Sequence, residues 1–208
     1  MTATVRRWHD EARTWALLRE RGVAEPPSVT LPEGVGWEGA PRESRARTRL
    51  WLRRPDRLRW EVEHEVDGVA GGITVGVKAG ARYWLRHGFH DWVDTNEDRP
   101  GGGWTWTQEE LLVEPAPLLG ELTLEVGNET VAHGRPAVRA RGRPRPLTPR
   151  LTDVLGPVAD ECELLVDPAT GLVLYLGVRA GGGTVTALEL VELTVGEPLP
   201  DELFEPLA

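Results

Sequence analysis

Arg42-Glu43-Ser44-Arg45-Ala46-Arg47-Thr48-Arg49-Leu50-Trp51-Leu52-Arg53-Arg54-Pro55-Asp56-Arg57-Leu58-Arg59-Trp60-Glu61-Val62-Glu63-His64-Glu65-Val66 reads as a β-hairpin whose two halves answer one another. Arg54-Pro55-Asp56 is the turn, because proline presets one turn dihedral and aspartate caps its own backbone. Folding there sets Arg49 opposite Glu61, Arg47 opposite Glu63 and Arg45 opposite Glu65, with Trp51 opposite Arg59. The other face pairs Leu52 with Leu58, Leu50 with Trp60 and Thr48 with Val62. One register satisfies charge and apolarity together, and a slip of one residue would spoil both. Eight arginines in this span are thereby explained without a nucleic acid.

Outward from the hairpin, further runs have strand character. They are Gly72 to Lys78, Arg82 to Arg86, Phe89 to Thr95, Leu122 to Val126, Glu129 to Ala132 and Ala137 to Arg141. The last third predicts a meander: Glu161 to Asp167, a Pro168-Ala169-Thr170-Gly171 turn, Leu172 to Arg179, a glycine turn, then Thr184 to Val195. Val5 to Arg21 carries Val5, Trp8, Ala12, Trp15, Ala16 and Leu18 or Arg19 at three- and four-residue spacing, which predicts a helix stopped at Gly22. Ala24 to Pro41 and Asn96 to Gly103 read as loops. Gln108 to Leu122, interrupted at Pro115 and Pro117, reads as one or two short helices. Leu151 to Gly156 and Asp201 to Phe204 read as single helical turns.

Length and charge narrow the classes. A chain of 208 residues is expected to form a single domain over 1–208 with one sizeable core. A net charge of −9 argues against non-specific binding to nucleic acid or to an anionic membrane. The lone cysteine, Cys162, excludes an internal disulfide and sits in an apolar strand, where it reads as a small buried hydrophobe. No run reaches the ~18 apolar residues of a membrane span. Trp8-His9-Asp10-Glu11 follows Arg6-Arg7 where a signal peptide would carry an apolar stretch. The sequence as written therefore predicts a cytoplasmic protein, and an upstream start would make it extracytoplasmic.

Three segments together resemble the LolA-like superfamily, which includes outer-membrane lipoprotein carriers and actinobacterial lipid-binding proteins. Leu52 to Glu61 is similar to the family's arginine- and tryptophan-rich hairpin. Leu165-Val166-Asp167-Pro168-Ala169-Thr170-Gly171-Leu172-Val173-Leu174 is similar to its Asp-Pro-x-Thr-Gly turn, with Val173 where proline is usual. Pro198-Leu199-Pro200-Asp201-Glu202-Leu203-Phe204 is similar to its terminal motif. The resemblance implies an α+β fold: a curved antiparallel sheet, an unclosed half-barrel, with an N-terminal helix and short helices covering the concave face. It also implies an apolar space for acyl chains, whose lining here would include Leu50, Leu52, Leu58, Trp60 and Val62.

Catalytic and metal-binding constellations do not emerge. His87 and His90, three apart with Gly88 between, would point to opposite sides of a strand. His64 falls on the apolar face and reads as a hydrogen-bonded core residue. The triple glycines lack the residues of phosphate loops, and no Gly-x-Ser-x-Gly is present. The adjacent pairs Glu109-Glu110 and Asp160-Glu161 read as solvated faces. Arg139, Arg141, Arg143 and Arg145 alternate within the basic run Arg135 to Arg150, which either pairs with the acidic strands near the C-terminus or, with that acidic third, forms a surface for a protein partner. We therefore expect no enzyme, no cofactor, no metal and no nucleic acid. Two functions stay open: a binding module or carrier for a lipid or other acyl-bearing ligand, and a cytoplasmic protein-interaction or regulatory module with the same fold and a filled core.

Overall fold

The computed structural model of the chain describes residues 1–22, 42–87, 93–95, 107–145, 155, 156 and 158–207. Its eleven strands are β1 (Thr2–Asp10), β2 (Glu43–Arg53), β3 (Arg57–Val66), β4 (Val69–Ala79), β5 (Arg82–Arg86), β6 (Val93–Thr95), β7 (Leu122–Ala132), β8 (Arg135–Pro144), β9 (Glu161–Val166), β10 (Val173–Ala180) and β11 (Gly183–Thr194). They form one antiparallel sheet in the order β6-β5-β4-β3-β2-β1-β11-β10-β9-β8-β7. β6 and β7 are its two edges, so the sheet is an unclosed half-barrel. Among the described residues, the short helices α1 (Glu11–Glu20), α2 (Glu110–Val113) and α3 (Ala116–Gly120) accompany it.

The hairpin has the expected register throughout, from Ser44 opposite Val66 to Arg53 opposite Arg57. Side chains alternate across a strand, so this register assigns every residue of β2 and β3 to a face. Leu50, Leu52, Leu58, Trp60 and Val62 share the inner face with Ala3 and Val5 of β1. That face continues through Leu188 and Leu190 of β11, Leu176 of β10 and Leu164 of β9 into one core. Leu111, Leu112 and Val113 of α2 and Leu118 of α3 join it, with α2 against β10 and α3 against β7.

The meander of β9, β10 and β11 stands as expected. Its first turn closes with Gly171 at φ 72°, in the left-handed region that favours glycine, and with the Gly171 amide donating to Asp167 O at 2.8 Å. The two strand runs at Leu122 to Val126 and Glu129 to Ala132 are one strand, β7, with a bulge between Val126 and Glu129. Pro115 separates α2 from α3. Asp201–Phe204 is a 3₁₀ turn against the outer side of β3 and β4, with the Arg53 guanidinium stacked on the Phe204 ring at 4.9 Å.

One element differs from expectation. Val5 to Asp10 is not helical: it belongs to β1, and the helix starts only at Glu11. β1 is hydrogen-bonded on both sides, to β11 and to β2, and the β-branched Thr2, Thr4 and Val5 suit that slot. Asp10 marks the change by accepting a hydrogen bond from the Arg13 amide at 2.9 Å, an N-cap. Of the expected face the helix buries Leu18, together with Glu11 and Thr14, and not Ala12, Trp15 and Ala16. Gly22, at φ 76°, ends it as expected. The loops expected at Ala24 to Pro41 and Asn96 to Gly103, most of the turn at Leu151 to Gly156, and His90 lie outside the described residues.

Candidate functional site

The inner face has an apolar floor and a polar end. On the floor stand Leu50, Leu52, Leu58, Trp60 and Val62, at 1, 6, 4, 3 and 7% exposure. The strand register places them side by side, as the hairpin reading expected. At the strand ends the same face turns polar. Arg7 and His9 of β1 follow Val5 by alternation, and His64 follows Val62 on β3.

Arg7 Nη1 lies 3.3 Å from Glu109 Oε1, an ion pair that ties the segment before α2 to the sheet. His9 Nδ1 meets Thr186 Oγ1 at 2.6 Å, and its Nε2 faces Glu11 Oε2 at 3.6 Å. The Ser44 hydroxyl donates to Glu11 Oε1 at 2.8 Å. His64 Nε2 meets Thr74 Oγ1 at 3.3 Å, so the histidine is hydrogen-bonded as the sequence suggested, but it is half-buried and stands outside the core. Burial holds both imidazoles below their ordinary range. At His64 the Arg7 charge pushes the same way and the Glu109 charge opposes it. At His9 the Glu11 carboxylate opposes burial.

Glu109 and Glu110 overturn the expectation of a solvated pair: they are 3% and 2% exposed. The signal for Glu110 was in the sequence. Thr107-Gln108-Glu109-Glu110 is a capping box, in which the Thr107 hydroxyl accepts from the Glu110 amide at 3.2 Å and Glu110 Oε2 accepts from the Thr107 amide at 2.8 Å. That reciprocity turns the carboxyl inward. Burial then pushes the Glu110 carboxyl up to about 7, against the Thr107 hydrogen bond and the Lys78 charge 4.0 Å away. Asp160, by contrast, is exposed, in keeping with the expectation.

Among the described residues, the polar end offers salt bridges and hydrogen bonds but no assembled nucleophile and base. Among the described residues no group of three His, Cys, Asp or Glu side chains could hold a metal ion. Cys162 is fully buried, and burial pushes its thiol up to about 12, so it carries no thiolate chemistry. No helix among the described residues is long and apolar enough to cross a membrane.

Where β1 and β10 begin and β2 and β11 end, the floor opens into a cavity of about 510 Å³ lined by Met1, Leu52, Arg53, Arg54, Thr170, Leu172, Val195, Glu197, Pro198 and Leu199. Leu52 belongs to both the floor and this cavity. The three sequence segments singled out above, around Leu52, Thr170 and Leu199, meet here.

On the outer face the expected charges are present but partnered one step away. Arg49 bridges Glu63 at 3.0 Å, Arg45 bridges Glu43 at 2.9 Å and Arg59 bridges Glu61 at 2.8 Å. Two of the four alternating arginines pair with β9 as expected, Arg139 with Glu163 at 3.2 Å and Arg141 with Glu161 at 3.8 Å; Arg143 and Arg145 make no ion pair among the described residues, and Arg135 pairs instead with Asp167 at 2.7 Å.

No protein-family model matches the chain, and no curated protein does. Solved structures similar to it include MucB of Pseudomonas aeruginosa in its complex with MucA, at TM-score 0.48 and 15% identity over 98% of this chain and 55% of that one. The lipoprotein LppX of Mycobacterium tuberculosis is similar at TM-score 0.46 and 9% identity, over 90% of this chain and 83% of that one. A LolA superfamily protein of Nitrosomonas europaea is similar at TM-score 0.33 and 9% identity, over 98% of this chain and 89% of that one. The chain spans little more than half the length of the MucB chain.

Proposed function

We propose that this chain is a non-enzymatic binding protein for an acyl-bearing ligand, a lipid or lipoprotein-like molecule. Its apolar part lies against Leu50, Leu52, Leu58, Trp60 and Val62. The observation that carries this reading is that Leu52 of the floor also lines an open cleft of about 510 Å³ at the sheet's end, where Met1, Leu172, Val195, Pro198 and Leu199 stand beside Arg53, Arg54, Thr170 and Glu197. A cavity of this size takes a small organic group, and an alkyl chain gains about 25 cal/mol per Å² of surface buried. Two short helices, four residues in α2 and five in α3, share the inner face farther along the sheet, against β10 and β7. The three motifs that resemble the LolA-like superfamily converge on the same opening.

Native mass spectrometry of freshly purified protein tests this. The expected result is an adduct of fatty-acid or lipid mass, with a tryptophan fluorescence change on palmitate addition. No adduct and no fluorescence change would remove the reading.

A second reading is a protein-interaction module with a filled core. It is favoured by one observation: all five floor residues are less than a tenth exposed. In that case binding partners engage the charged outer face and the inner face serves stability alone.

A further inference from the structure

We infer that the outer face carries a separate binding site for a small organic monoanion bearing a flat apolar group, held between Arg6 and Arg47 and against Trp8. A hollow of about 500 Å³ crosses β11, β1, β2 and β3 there, within the range of small-molecule sites. Alternation puts Arg6, Trp8 and Arg47 on the face opposite the apolar floor, and none of the five floor residues lines the hollow, so this site is distinct from the one proposed above.

The register places Arg6 of β1 directly opposite Arg47 of β2. Like charges in that relation destabilise a sheet, and neighbouring acids normally relieve them. Here two of the nearby acids, Glu63 and Glu43, are engaged elsewhere. Glu63, opposite Arg47, is held by Arg49 at 3.0 Å, and Glu43 is held by Arg45 at 2.9 Å. Glu189 reaches Arg6 at 3.4 Å. Arg47 is exposed and makes no ion pair among the described residues. Its fork of donors is free for a carboxylate, which it can bind bidentately.

The apolar half of the site is preorganised. The Trp8 indole donates to Glu43 Oε2 at 3.0 Å, the same carboxylate that orients Arg45. Its cross-strand neighbour on β11 is Ala187, whose small side chain leaves the hollow beside the indole. Glu63, Glu65 and Glu189 also line the hollow, and Glu65 makes no ion pair among the described residues. An acid at that wall opposes a second negative charge, which makes the preferred ligand a carboxylate monoanion and not a dianion.

The test is an NMR titration of the ¹⁵N-labelled chain with 3-phenylpropionate, its neutral amide and phenyl phosphate. The propionate is expected to give saturable shifts at the Trp8 and Ala187 amides. Loss of the anion, or of the guanidinium in Arg47→Ala or Arg6→Ala, is expected to weaken binding about tenfold or more. Both arginines are exposed, and an unchanged thermal midpoint in each variant confirms that folding is intact. Equal binding of the amide, unchanged affinity in Arg47→Ala, tighter binding of phenyl phosphate, or shifts centred on Leu52 and Leu172 would each overturn the proposal.

Discussion

The indole of Trp60 lies flat over Gly76, its cross-strand neighbour on β4: a Cβ built on Gly76 would overlap ring atoms Cε2, Cζ2 and Cη2. Glycine is required here by space, and Trp60 in turn is packed on the sheet itself. Gly76→Ala should cost at least the roughly 1–3 kcal/mol of an overpacked core, and Trp60→Ala about 3–5 kcal/mol. With Trp60 removed, Gly76→Ala should become nearly neutral. Urea midpoints of the two single variants and the double variant form the cycle that checks this. Additive losses would show that the two residues do not touch.

Glu110 should make the protein less stable as pH rises. Its folded carboxyl titrates near 7, above the ordinary 4.5, so the folded state holds the proton more tightly than the unfolded state. Stability contributed by this group is complete below about 4.5, falls through the interval to about 7 and is then level. The difference is about 3 kcal/mol at roughly 1.4 kcal/mol per pH unit. Glu110→Gln keeps a capping-box side chain and removes the titration. Its advantage over the parent protein should grow between about pH 5 and pH 8 in denaturant titrations. An equal difference at both ends would exclude Glu110 as the cause.

His64 should act in the opposite sense. Burial first, and then the Arg7 charge, hold its imidazole below the ordinary 6.5. The unfolded chain therefore takes up the proton before the folded chain does. The stability this group supports is present above about 6.5 and declines as pH falls through the folded value. His64→Gln should flatten that acid-side decline while leaving the Glu110 trend in place. A parent-like acid limb in the variant would assign the decline to other groups, His9 first among them.

Cys162 should report global unfolding. Its thiol is fully buried and pushed up to about 12. Iodoacetamide at neutral pH should leave the native protein unmodified and label it in urea, with a midpoint that matches the fluorescence transition. Rapid labelling of native protein would show that β9 opens locally.

The hairpin, the meander and the terminal turn were legible because each is decided by residues close in sequence. Charge and apolar alternation from Arg45 to Glu65 admit one register, and Asp167 to Gly171 carries its own turn chemistry. The five floor residues followed from the same alternation. The strand at Thr2–Asp10 was not legible, because its partners, β2 and β11, are brought to it only by the fold. Local spacing at Val5, Trp8 and Ala12 fits a helix equally well until those two ladders are present.

By itself, then, the sequence determined which residues share a face wherever a turn and two flanking strands lie together in the chain. The tertiary structure alone decided the rest. It buried Glu109 beside Arg7, 102 positions away in the numbering, and set the locally capped Glu110 beside Lys78, 32 positions away. It also left Arg47 facing Arg6 with its expected acid taken by Arg49. The physical reason is the same in each case. A charged side chain chooses its partner by distance and by the water excluded around it, and both are set only after distant strands have met.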